Sequence, residues 1–111
     1  MALASNVVLL DLNYPPFLKS VFALEKNDKI QHIKQLEKIS KLTWAEVQQD
    51  AGLKWEKIYP VPLALQRHLL EEKQQSLYSI RLTQSKRAVV LREGDYMRFL
   101  ALPKDHDSTY A

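Results

Sequence analysis

The chain has 111 residues, the size of one domain with enough length to bury a core. Apolar residues make up 46% and charged residues 26%, which excludes the composition of a disordered chain. The absence of cysteine removes disulfide scaffolds, thiolate zinc sites and cysteine nucleophiles together and makes a reducing cytoplasm the simplest home, while a net charge of +3 favours polyanionic partners without requiring one.

The first apolar run, Val7-Val8-Leu9-Leu10, has no basic stretch before it and no small-residue cleavage pattern. It is too short to span a bilayer, so it reads as a strand or a tucked-in end. Pro15-Pro16 interrupts the chain, and 17–24 is open between a short helix and a continuation. Over residues 28–42, Ile30, Ile33, Leu36, Ile39 and Leu42 recur among Lys, Gln and Glu, which predicts an amphipathic helix capped by Asn27 or Asp28. Thr43-Trp44-Ala45-Glu46 is a capping box, with Leu42 and Val47 at the spacing of a hydrophobic staple. The short helix it opens is expected to run to about Asp50 and to stop at Gly52 in a left-handed cap. Residues 54–59 alternate weakly before Pro60 and Pro62. Proline is tolerated in a first helical turn, so a helix is expected over 63–75, with Leu65 and Leu69 inward and Leu63 and Leu70 candidates for the same side.

From Leu77 the period changes to two: Tyr78, Ile80 and Leu82 alternate with Ser79, Arg81 and Thr83, the pattern of a half-buried strand. Residues 87–92 and 96–102 are two further β-rich runs, joined by Glu93-Gly94-Asp95, where glycine can take a positive φ. The expected fold is a single α+β domain over 1–111. Residues 1–75 are mainly helical and pack on a small carboxy-terminal antiparallel sheet, a meander within 76–111 that ends in a polar tail.

Arg81, Arg87, Arg92 and Arg98 stand on neighbouring predicted strands, with Lys86 beside them. Several could line one concave face at a spacing that suits a phosphate backbone, although a solvated sheet face must carry polar residues in any case. The tail, 103–111, holds His106, Tyr110, Asp105 and Asp107, and an imidazole can move protons near neutral pH with a phenol to donate or orient. His32 and His68 read as surface or boundary residues. No histidine pair has the spacing of a metal site, so no metal and no cofactor are expected. With only two glycines, Gly52 and Gly94, neither a GxGxxG nor a Walker loop can be written. Trp44 and Trp55 read as core or helix-docking residues.

The stretches Leu77-Tyr78-Ser79-Ile80-Arg81-Leu82, Ser85-Lys86-Arg87-Ala88-Val89-Val90, 92–102 and Asp105-His106-Asp107-Ser108-Thr109-Tyr110 resemble, in this order, the carboxy-terminal third of the RelE/ParE toxin superfamily. Leu36-Glu37-Lys38-Ile39-Ser40-Lys41-Leu42-Thr43-Trp44 is similar to a helical segment in some branches of that group. The resemblance implies a cytoplasmic toxin held silent by a cognate antitoxin, in a homo- or hetero-oligomer with it, with no membrane partner. In the RNA-cleaving branch it implies a metal-independent, ribosome-dependent mRNA endoribonuclease whose partners are the ribosome and mRNA. Carried over by position, Arg81, His106 and Tyr110 are the catalytic residues, with Arg87, Arg92, Arg98 and Lys86 as phosphate ligands. Which of His106 and Tyr110 is the base stays open. Asp107 follows the histidine where many members have arginine, adding negative charge where RNA would approach. The alternative within the fold is a non-catalytic binding protein, either a gyrase-directed poison or a degenerate toxin acting through protein contacts.

Overall fold

The computed structural model describes residues 6–61, 63, 66 and 76–103. Its elements are β1 (Leu9–Asp11), α1 (Pro15–Phe22), α2 (Lys26–Ser40), α3 (Trp44–Gln49), β2 (Glu56–Lys57), β3 (Leu77–Arg81), β4 (Arg87–Glu93) and β5 (Tyr96–Ala101). The three helices precede four of the five strands, so the expected α+β class holds. The strand order is β1-β5-β4-β3-β2, and β1 runs parallel to β5. The sheet is therefore mixed, where a purely antiparallel one was expected; the amino-terminal apolar run adds itself to the far edge of the meander.

The prolines expected to interrupt the chain instead open α1 at its first two positions, where their missing N–H groups would have no helical acceptor. Phe17 and Val21, one turn apart, are buried, and the Phe17 ring meets Phe99 of β5 with centroids 5.1 Å apart. Helix α2 begins two residues earlier than expected, and its flanking Glu25 makes no side-chain cap. Its buried stripe is His32, Leu36 and Ile39, while Ile30 and Ile33 are exposed. A period of three falls about 60° behind the helical repeat at each step, so Ile30 and Ile33 rotate off the face that Leu36 and Ile39 occupy.

The capping box at α3 forms as read: Thr43 Oγ1 accepts from the Glu46 N–H at 3.2 Å and the Glu46 carboxylate accepts from the Thr43 N–H at 2.9 Å. Beyond α3 the left-handed residue is Lys54, with φ 51°, and not Gly52; the Asp50 carboxylate accepts from the Gly52 and Leu53 N–H groups and turns the chain without it. Gly94 takes φ 61° in the β4–β5 turn, as expected.

The sheet buries both faces. Ile80, Leu82, Ala88, Val90, Met97 and Phe99 face α1, α2 and α3 in the main core, while Leu77, Val89, Leu91 and Leu100 pack with Ile58 in a second cluster on the other side. Strand β3 is thus covered on both sides, not half-solvated, and Ser79 is buried. The continuous apolar run 88–91 is the signature of this, because a strand with two covered faces has no polar alternate positions. The helix expected over 63–75 lies largely outside the described residues; Leu63, which is described, is exposed.

Candidate functional site

Arg81 and Arg87 face each other as a cross-strand pair at one end of β3 and β4, on the side of the second cluster. Arg81 is held from two directions: its N–H donates to the Leu53 carbonyl at 2.8 Å, and its carbonyl accepts from the Gln35 amide of α2 at 3.4 Å. Arg87 is only 5% exposed. Its terminal guanidinium nitrogen donates toward the Lys54 carbonyl at 3.0 Å, the Glu56 carboxylate at 2.9 Å and Ser79 Oγ at 2.9 Å. The left-handed backbone at Lys54 belongs to the turn that presents this carbonyl to Arg87. The Nε–H groups of both arginines are buried with no acceptor among the described residues.

These residues line a cleft of about 550 Å³ with Lys57, Tyr59, Gln84 and Ser85. Four cations, Lys54, Lys57, Arg81 and Arg87, face one carboxylate, Glu56, among its lining residues. Two like charges directly opposite in a ladder destabilise a sheet unless something neutralises them, and Glu56 answers for one. Paired guanidinium groups in a cleft of this charge can hold an anion with several acceptor atoms through charge-assisted hydrogen bonds.

The remaining arginines go elsewhere, which corrects the expectation of one arginine-lined face. Arg92 emerges on the helix side, its guanidinium carbon 4.1 Å from the centre of the Trp44 ring and its Nε–H donating to the Gly94 carbonyl. Arg98 is on the same side as Arg87 but opposite Leu91, four residues further along β4, or about 13 Å. There it pairs with Asp11 at 3.3 Å and Glu93 at 2.8 Å. Strand alternation and register separate these groups, and each reaches a partner near its own root. Lys86 is half-buried in the β3–β4 turn and lines a smaller hollow of about 270 Å³ with Leu102 and Pro103.

His106 and Tyr110 lie outside the described residues. The register does fix where the chain leaves the sheet: Ala101 pairs with Val89, two residues from Arg87, so β5 ends at the Arg81–Arg87 end.

His32, expected at a surface or boundary, is fully buried. Its Nδ1 lies 2.7 Å from the Asp28 carbonyl, an acceptor only, so Nδ1 carries the proton, and Nε2 has no partner among the described residues. Trp44 is core, and Trp55 packs edge-on against it while stacking on Tyr78 at 4.5 Å, as a docking residue would. Lys54, Lys57, Tyr59, Gln84 and Ser85 carried no site assignment from the sequence. The interleaving of lysines with Trp55 and Tyr59 over 54–59 is the signal that could have pointed to them.

The class defined by this geometry is a small α+β domain with a cationic cleft at one end of its sheet. No protein-family model matches the chain, and no curated protein matches it. Among solved structures, a copper-bound mutant toxin from Helicobacter pylori is similar to it, with 15% sequence identity over 91% of this chain and 97% of that one and a TM-score of 0.47.

Proposed function

We propose that this chain is a toxin of the RelE/ParE kind that cleaves messenger RNA on the ribosome and is silenced by a cognate antitoxin. The observation that carries the proposal is the Arg81–Arg87 pair in a cleft of surplus positive charge, at the end of the sheet where β5 finishes before the residues leading to His106 and Tyr110. Cleavage of this type begins with removal of the 2′-hydroxyl proton. The 2′ oxygen then bonds to phosphorus, and the bond from phosphorus to the 5′ oxygen breaks as that oxygen takes a proton, leaving a 2′,3′-cyclic phosphate. The guanidinium groups meet the charge that builds on the non-bridging oxygens, and His106 and Tyr110 divide the proton transfers. A phenol, whose ordinary pKa is near 10, becomes a useful base only where cations stand beside it.

Induced expression without a partner is expected to arrest growth and to create new transcript ends that depend on translation. His106→Ala or Tyr110→Ala should relieve the arrest; if both variants stay fully toxic while folded, the catalytic assignment fails. A second reading, a non-catalytic protein of the same fold acting on gyrase or through protein contacts, is favoured by one observation: Arg87, Arg92 and Arg98 are each engaged within the chain. Arrest without new transcript ends would select it.

A further inference from the structure

Tyr59 follows β2 and is 84% exposed, on the rim of a cleft whose other lining residues are charged or polar. A wholly polar ligand would make no use of that ring, and a hydrophobic ligand would find four cations. A single-stranded nucleotide presents both a flat π face and a phosphate, and proteins hold such strands by stacking bases on aromatic rings while cations follow the backbone. A duplex keeps its bases stacked on one another and offers no free face. The cleft volume of about 550 Å³ falls within the range of roughly 300–1,000 Å³ typical of small-ligand sites, which suits one nucleotide. Gln84 and Ser85 add an amide and a hydroxyl that can both donate and accept, as base edges require.

We propose that Tyr59 is the base-stacking platform of this cleft, which takes one nucleotide of single-stranded RNA with its phosphate held by Arg81, Lys54 and Lys57. The inference rests on the RNA reading above and adds the residue that holds the base.

The test is a titration of the full chain with a short fluorescent oligouridine strand, and with the same strand lacking its bases, followed by anisotropy at several salt concentrations. Tyr59→Ala is expected to weaken binding of the intact strand about tenfold, within the range for one base on an aromatic ring, while Tyr59→Phe keeps the ring and the affinity. The salt slope of Tyr59→Ala should match the parent's, whereas Lys57→Ala should lower it by about 0.7, the contribution of one single-strand phosphate contact. The baseless strand should bind weakly and show no dependence on Tyr59. Because Tyr59 is exposed, the variant should keep the parent's melting temperature, so lost affinity is not lost fold. Binding that falls with Arg81→Ala yet is untouched by Tyr59→Ala overturns the inference and leaves the RNA reading standing; equal binding of both strands by the parent does the same. No binding of either strand overturns the inference, while the ribosome-dependent reading stands or falls on the transcript ends.

Discussion

Lys54 carries two opposed demands on one backbone position. Its φ of 51° is a left-handed conformation that costs an ordinary side chain about 1–2 kcal/mol, while glycine there would lose that strain and add about 0.5–1 kcal/mol of chain entropy on folding. The difference predicts that Lys54→Gly stabilises the fold by up to about 1 kcal/mol, read as a higher urea midpoint. The same change deletes one of the cations lining the cleft, so affinity for single-stranded RNA should fall; strain at a candidate site is the arrangement expected where function and stability compete. A variant that gains neither stability nor loses affinity would remove Lys54 from the site. Arg87 makes the complementary point: buried and bonded to Lys54, Glu56 and Ser79, its guanidinium organises the cleft floor as well as charging it.

Among the elements, α3 shows how local chemistry sets the position of distant groups. Its capping box starts the helix at Trp44, whose indole N–H donates to the Asp95 carbonyl at 3.0 Å and so fastens the helix to the β4–β5 turn. At its other end, Asp50 links α3 to α2 through Lys38 at 3.4 Å. Burial works to raise the Asp50 pKa, but the N–H groups of Leu53 and Gly52 and the Lys38 ammonium together hold it below its ordinary value of 3.8. A carboxyl depressed in the folded state contributes stability that is present above its unfolded pKa and is lost as pH falls through the folded one. The urea midpoint of the parent should therefore exceed that of Asp50→Asn by a constant margin at neutral pH, and the margin should close as pH drops below 3.8; a margin independent of pH would refute the linkage.

Across the whole molecule, charge is distributed by address and not by amount. The net charge of +3 is modest, yet four cations collect in the cleft at one end of the sheet while Arg98 is neutralised at the other and Arg92 sits on the opposite face over an indole. Single-strand binding is then expected to fall with salt at about 0.7 log units per log unit for each phosphate held, and Arg81→Ala should lower that slope while Arg92→Ala should not. Equal effects from both arginines would mean that the whole surface binds RNA and that the cleft has no special part in it.

Much of this was legible in the chain. The capping box, the glycine turn and the three strands of the meander rest on contacts between near neighbours or on a period of two, and residue order alone carries those. The apolar run 88–91 reads only as β-rich, and the half-buried sheet expected from β3 gives way to one covered on both faces. Pattern could not show that the first apolar run would lie parallel to the last strand, that His32 would be buried in the stripe of α2, or that four arginines would separate. Those outcomes depend on which segments meet through space and in which register, a choice set by the burial of Phe17, Phe99 and Ile58 far apart in the sequence. The cleft itself, assembled from the turn before β2 and the hairpin between β3 and β4, exists only because pairing of Glu56 with Ser79 brings those two stretches together.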